Sequence, residues 1–249
     1  MKKQQKEYKP SYEKQAAYYD AIYAAQGKDY EKEAQRIHEI AGRYKKSPGN
    51  RLLDVGSGTG AHFPYLSQGY AVEGLDLDGD MLKVARKRFP QGVFHQGDMV
   101  DFHLAAKFDV ITCLFSAIGY TKSLENMRAA ISNMGQHLEA GGVLVVEPWF
   151  APHEWREGTP HATYVDQPDL KIARVNISER EGDVSVINFH FLVASGGEVE
   201  YFTERHELGL FTEEAYRDAF AEAGLDTIHD PQGITNRGLY IGVKPAAHR

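Results

Sequence analysis

A single cysteine, Cys113, excludes any disulfide within the chain and any cluster of thiolate metal ligands. No apolar run approaches the roughly 18 residues of a membrane-spanning helix. The basic start Met1-Lys2-Lys3 is followed by no apolar segment of a secretion signal. Positive charge is scarce as well: 28 Lys and Arg stand against 35 Asp and Glu, a net charge of −7. An acidic chain matches a polyanion poorly, so neither nucleic acid nor a membrane is expected as a partner. There is no internal repeat and no low-complexity tract. What is present is ordinary for a globular protein: 249 residues, 42% hydrophobic and 25% charged, enough for one large α/β domain with a smaller lobe. The expected location is the cytoplasm, and the expected state a monomer or homodimer.

The first 50 residues read as two helices, 13–25 and 30–45. In the second, Ala34, Ile37, Ile40, Ala41 and Tyr44 recur at helical spacing. Strands and helices then alternate. Strands are predicted at 51–55, 70–75, 93–95, 108–115 and 142–147; helices are predicted from about Gly60, at 79–88 and at 124–138. That rhythm means βαβ units and a mostly parallel sheet, with ligand-binding loops along the edge where strands end. After Pro148 the texture changes. Three strands, 171–178, 184–194 and 199–209, are joined by the turn sequences Glu181-Gly182-Asp183 and Ser195-Gly196-Gly197, an antiparallel meander. A helix at 212–223 and strands near 227–230 and 239–243 complete the main sheet.

The loop after the first strand is Asp54-Val55-Gly56-Ser57-Gly58-Thr59-Gly60. Its glycines permit a sharp turn and close approach of a ligand to the backbone. A dinucleotide loop prefers G-x-G-x-x-G with a pyrophosphate on the helix N-terminus. Here the third glycine comes one position early, and Asp54 suits a cationic ligand better. Asp76 ends the second strand about 20 residues on, where a carboxylate can accept from ribose hydroxyls. Gln96-Gly97-Asp98-Met99 follows the third strand, with a carboxylate for an adenine amino group and a thioether for its ring. Capping or solvated turns would also explain Asp76 and Asp98 singly; three such groups at successive strand ends favour a nucleotide-like ligand.

Eleven histidines raise the question of a metal. His153 with His161, and His190 with His206, are near in sequence, yet no H-x-x-x-H pair falls on a predicted helix and none clusters with carboxylates at ligand spacing, so no metal is expected. Cys113 lies within an apolar run and reads as core. Ser116 has no G-x-S-x-G elbow, which argues against nucleophilic hydrolysis.

The runs LLDVGSGTG, GLDLDGDML and QGDM resemble the class I S-adenosylmethionine-dependent methyltransferases. Gly27-Lys28-Asp29-Tyr30, the stretch from Cys113 to Tyr120, Val145-Val146-Glu147-Pro148-Trp149 and Arg237-Gly238-Leu239-Tyr240 resemble one branch of them. That branch holds the dTDP-3-amino-hexose N,N-dimethyltransferases of macrolide-sugar biosynthesis, and the likeness runs from about Tyr12 to Val243. It implies a Rossmann-like, seven-stranded, mostly parallel sheet with an N-terminal helical cap and the inserted antiparallel meander. The implied segments are a cap over the cofactor (1–48), a cofactor-binding core (49–150), an acceptor lid (151–209) and a completing helix and strands (210–249).

The resemblance also implies site roles. S-adenosylmethionine, leaving as S-adenosylhomocysteine, would be held by Tyr19, Tyr30, Asp54, Gly56, Ser57, Gly58, Gly60, Asp76, Leu77, Met81, Gly97, Asp98, Met99, Leu114, Phe115 and Ser116. Tyr120, Trp149, Arg174 and Arg237 would face a small-molecule acceptor, with Tyr12, Tyr120 and Glu147 nearest the chemistry. The expected reaction is methylation of an amine, with O- or C-methylation of another metabolite, an NAD-dependent oxidoreductase and a non-catalytic binding module as alternatives. Since a sulfonium methyl is already activated, such an enzyme mainly aligns, desolvates and encloses.

Overall fold

The computed structural model describes residues 15–246. A 3₁₀ turn at Gln15–Ala17 leads into α1 (Tyr19–Ala25) and α2 (Tyr30–Tyr44). Then come β1 (Arg51–Val55), the single turn α3 (Phe63–Leu66), β2 (Ala71–Asp76), α4 (Gly79–Arg88), β3 (Val93–Gln96) and β4 (Phe108–Cys113). A second 3₁₀ turn (Ala117–Thr121) precedes α5 (Leu124–Gln136) and β5 (Leu138–Val146). Four long strands follow: β6 (Pro160–Gln167), β7 (Leu170–Glu181), β8 (Val184–Ser195) and β9 (Glu198–Gly209). The chain closes with α6 (Glu213–Glu222), β10 (Asp226–Asp230) and β11 (Leu239–Val243).

The main sheet has seven strands in the order β10-β11-β5-β4-β1-β2-β3, with β1 to β5 parallel and β11 antiparallel to its neighbours β5 and β10. From β1 the chain first runs outward to β2 and β3, then returns to place β4 on the other side of β1. The crevice at the carboxyl ends of β1 and β4 is therefore the topological switch point, where open α/β sheets bind ligands. Alternation along each strand sends side chains to both faces. One face meets Ala34, Ile37, Ile40 and Ala41 of α2; the other meets Met127, Ile131 and Met134 of α5 and Tyr216 and Phe220 of α6. Every residue of β4 is buried, as a central strand covered on both sides requires.

The four later strands form a separate antiparallel sheet, β6-β7-β8-β9, whose inner face packs Val165, Ile172, Phe191 and Val193 around Ile22 of α1. Helix α1 thus stands between this sheet and the glycine loop, where Thr59 Oγ1 donates to Asp20 Oδ1 at 2.9 Å.

Four local expectations change. The helix expected from residue 13 has its described part split into the 3₁₀ turn and α1. The helix expected near Gly60 shrinks to one turn, with Pro64 at its start and the chain leaving helix at Ser67. The helix expected to run to 138 stops at Gln136, because Leu138 is taken up opposite Phe108 as β5 begins. The meander has four strands, not three. β6 was hidden because it is an edge strand with only Val165 buried, so it carries no apolar alternation.

Asp109, at the buried start of β4, accepts from Gly49 N at 3.1 Å and Arg51 N at 2.9 Å, fixing where β1 enters the sheet. Asp109→Ala leaves both donors without their acceptor and is expected to lower the free energy of unfolding by about 2 kcal/mol. Urea denaturation would measure it; a midpoint equal to wild type would contradict this role.

Candidate active site

At the end of β1 the chain turns sharply. Gly56 N and Ser57 N both donate to the Leu75 carbonyl, at 2.8 and 3.1 Å, clamping the loop onto β2. Gly56 has φ +73°, and a Cβ there would lie 2.6 Å from the Ala117 Cβ, so both dihedral and space demand glycine. Gly58 (φ +53°) is different: a Cβ would meet nothing within 4 Å, because this residue opens onto a cavity of about 1170 Å³. Its N–H donates to Asp76 Oδ2 at 2.7 Å, while Asp76 Oδ1 accepts from Asp78 N at 2.8 Å. Burial outweighs these two donors and pushes the Asp76 carboxyl up to about 6.

Leu77, Met81, Gly97, Asp98, Met99, Leu114 and Phe115 line the same cavity. Asp54, Ser57 and Tyr30 instead line a small side pocket beneath the glycine loop, which Tyr19 and Lys28 also bound. Asp54 accepts from Thr112 Oγ1 at 2.8 Å, and burial raises its pKa. Gly60 borders neither space; it turns the loop against the Phe89 and Phe94 rings.

The turn after β4 is strained. Phe115 and Ser116 are both left-handed, with φ of 51° and 60°, a conformation costing side-chain-bearing residues roughly 1–2 kcal/mol each. Glu147, fully buried at the end of β5, holds it: Oε2 accepts from Phe115 N at 2.7 Å and Oε1 accepts from Thr235 Oγ1. Ser116 Oγ donates to the Pro148 carbonyl at 2.6 Å and accepts from Arg237 Nη1 at 2.8 Å. Sequence reasoning put Glu147 and Ser116 in contact with ligands. Both are buried instead, and the Glu147 carboxylate has each oxygen engaged, so it acts as a clamp on this turn.

Around the turn gather groups from distant segments. Tyr23 of α1 meets the Phe115 ring edge to face at 4.8 Å. Lys28 Nζ lies 3.7 Å from the Phe115 ring centroid and 2.8 Å from both oxygens of Glu33. Glu33 also bonds His62 Nε2 at 2.8 Å; burial works to raise its pKa, but the hydrogen bond to His62 and the Lys28 charge outweigh it and hold it low. Burial lowers the pKa of Lys28. Sequence reading quoted Lys28 only as part of a motif and missed Glu33 and His62, which are 29 residues apart and meet only in the fold.

Two guanidinium groups face the cavity. Arg174 of β7 is 5% exposed; its Nη2 lies 3.3 Å from Thr163 Oγ1, its Nη1 is buried without a partner, and the group lies over Phe189 and Tyr23. Arg237 lies over Phe115, Trp149 and Phe150, 5.3–5.7 Å from the ring centroids. Neither makes an ion pair with a carboxylate among the described residues. Tyr120 borders the cavity between them, its hydroxyl 2.8 Å from His206 Nδ1. Trp149 is fixed by Nε1 donating to Ser185 Oγ at 2.9 Å. Tyr12 lies outside the described residues.

A family model described as a methyltransferase domain matches residues 52–142, the glycine loop through β5. Over 227 residues the chain is 40% identical to the Streptomyces venezuelae dTDP-3-amino-3,4,6-trideoxy-alpha-D-glucopyranose N,N-dimethyltransferase, covering 90% of this chain and 95% of that one. The chain belongs to the S-adenosylmethionine-dependent sugar N-methyltransferases. The solved structure of Streptomyces venezuelae DesVI superimposes on this methyltransferase with a TM-score of 0.87 at 40% identity, over 93% of this chain and 98% of that one. CalS10, an amino pentose methyltransferase from Micromonospora echinaspora solved with S-adenosylmethionine bound, has a TM-score of 0.82 at 37% identity, over 91% and 96% of the two chains. The enzyme is therefore dependent on S-adenosylmethionine, and the nicotinamide alternative falls. The site suits that donor: Ser57 Oγ and Tyr30 Oη are buried beside the glycine loop with no hydrogen-bond partner among the described residues, and Gly58 opens onto the cavity. Among the described residues no helix of this methyltransferase is long and apolar enough to cross a membrane.

Glu147→Ala removes the acceptor of a strained backbone N–H and of Thr235. It is expected to cost about 2–3 kcal/mol of stability, and Glu147→Gln less. Chemical denaturation of both variants tests this; equal stability of Glu147→Ala and wild type would remove the clamp.

Proposed function

We propose that this methyltransferase methylates the amine of an aminosugar carried on a nucleoside diphosphate. One observation carries the reading: Arg174 and Arg237, both without a carboxylate counter-ion among the described residues, face one cavity that also holds the glycine loop. A buried guanidinium without an anion is costly, so the missing anion belongs to the ligand. A diphosphate presents oxygens to a planar guanidinium and so fits both. The names of the relatives, which include a dTDP-aminosugar and an amino pentose enzyme, agree with that chemistry.

S-adenosylmethionine, when bound, supplies a methyl group activated by sulfonium charge. Asp76 would accept from its ribose hydroxyls, Asp98 and Met99 would meet the adenine, and Ser57, Tyr30 and Lys28 would hold the methionyl end. Lys28 is the residue for the carboxylate, since its neighbour Glu33 is already shared with His62. Phe115, Tyr19 and Tyr23 keep water from the transfer site, and Tyr120 faces the amine. A nucleotide-sugar acceptor and a lone, buried Cys113 fit a cytoplasmic enzyme.

Because the Asp76 carboxyl titrates near 6 and ribose hydroxyls prefer its ionised form, donor affinity falls as pH drops through that value. Calorimetry should find the dissociation constant of S-adenosylmethionine about tenfold higher at pH 5 than at pH 7. Asp76→Asn should bind more weakly and lose this slope; a wild-type curve flat across that range would sink the ribose assignment.

Arg174→Met and Arg237→Ala should each raise the dissociation constant of thymidine diphosphate by about tenfold or more, and that of S-adenosylmethionine far less. Titrations of both ligands into both variants decide it. Nucleotide affinity unchanged in both variants would remove the diphosphate from the acceptor.

A further inference from the structure

A polar chain runs inward from the acceptor side of the cavity. Tyr120, on the 3₁₀ turn after β4, borders the cavity and shares a 2.8 Å hydrogen bond with His206 Nδ1 of β9. His206 Nε2 lies 3.5 Å from Glu204 Oε2, two residues back on the same face of the strand. The His206 and Glu204 side chains are only 5% and 8% exposed. Their neighbours on that face, Phe202 and Leu208, are buried apolar groups. An imidazole and a carboxylate enclosed this way cost desolvation energy that packing alone does not return. The neutral imidazole that suits both contacts carries its hydrogen on Nε2, toward Glu204. Its Nδ1 lone pair then accepts from the Tyr120 hydroxyl.

We propose that Tyr120, His206 and Glu204 form a proton relay that takes the proton from the acceptor amine; it rests on the amine reading above. Sugar amines arrive largely as ammonium ions, which have no lone pair to attack with. As one ammonium N–H bond breaks, its proton passes to the Tyr120 oxygen while the Tyr120 phenolic proton passes to His206 Nδ1. The N–H electron pair stays on nitrogen as the nucleophilic lone pair. His206 becomes an imidazolium beside the Glu204 carboxylate, and its proton later leaves to solvent by the same route. Tyr120 and His206 both border the cavity, and Glu204 is a positioning residue that acts through His206.

The charges around the chain bear on its direction. Arg174 of β7 lies over Phe189 of β8, which in turn packs edge to face on His206 at 5.2 Å. Tyr19 of α1 also faces Tyr120. Tyr23 of α1 lies on the far side of Arg174. Lys122, Arg205 and Glu207 lie on the other side of β9 and pair with one another at 2.7–2.8 Å. Among the described residues, Glu204 is a carboxylate in contact with the ring.

Two measurements test the relay, one of them independent of the acceptor. Imidazole NMR of the free enzyme should find His206 with hydrogen on Nε2. Glu204→Gln, which removes the charge facing the Nε2 hydrogen, should populate the Nδ1 tautomer as well. With a thymidine diphosphate aminosugar, His206→Gln and Tyr120→Phe should each lower kcat by about 10²-fold with KM little changed. The acid limb of the rate profile should move to higher pH in both. His190, exposed on β8 and bonded to Tyr201, is the control; His190→Gln should behave as wild type. Should His206→Gln not fold, Tyr120→Phe removes a single oxygen and carries the same expectation. Hydrogen on Nδ1 in the wild type overturns the proposal. So does a tautomer balance indifferent to Glu204→Gln, or a Tyr120→Phe enzyme with wild-type kcat and pH profile. If no aminosugar nucleotide is turned over, the acceptor reading fails by itself, and the NMR tautomer measurement still decides the relay.

Discussion

One enclosed carboxylate holds the reaction chamber in shape. Glu147 sits at the end of β5 with no exposed surface, and each of its oxygens is taken, one by the Phe115 amide and one by Thr235. Those partners lie 32 and 88 residues away. The first lets the chain leave β4 through two consecutive left-handed residues, so that Phe115 turns into the cavity and Ser116 turns beneath it to bond Arg237. Without a fixed acceptor this turn would relax toward ordinary dihedrals and carry the Phe115 ring with it. Tyr23, Lys28 and Arg237 all use that ring as a surface, so walls from the N-terminus, the sheet and the C-terminus meet on one clamped turn.

Charge is distributed around that turn in a graded way. On the donor side are carboxylates that already have partners: Asp76 on two backbone amides, Asp54 on Thr112, Glu33 on Lys28 and His62. On the side proposed for the acceptor stand guanidinium groups with aromatic surfaces but no carboxylate partners among the described residues. A cationic donor and an anionic acceptor would therefore be drawn to opposite ends of a single cavity, with the neutral rings of Phe115 and Tyr23 between them. Low polarity at the junction suits a transfer in which charge on sulfur is lost and charge on nitrogen appears.

Much of the donor half is legible in the residues because its pieces are short and local. A glycine that must be left-handed, an acid ending the next strand and a turn after the third are each written within a few positions, and their order along the chain repeats their order in space. Glu147 was legible as important, but its role was not, since a carboxylate in a motif run gives no sign of which way it points. β6 escaped because an edge strand buries one residue and needs no apolar alternation. Lys28, Glu33 and His62 escaped for another reason: their spacing has no meaning until α2 packs across the start of α3.

The sequence by itself determined that a nucleotide-like ligand meets the loop after β1, because that loop and the acids ending the next strands are local, and the resemblance its motifs carry named S-adenosylmethionine as that ligand. It also determined the order of sheet, helices and inserted strands, through apolar periodicity and turn residues. Only the tertiary structure decided which polar groups face the cavity and which hold it up. Arg174, Arg237, Tyr120 and His206 come from four segments far apart in the chain, and β-strand alternation together with one clamped turn aims each of them. Burial and the absence of a counter-ion are properties of packed surroundings, and no linear spacing encodes them.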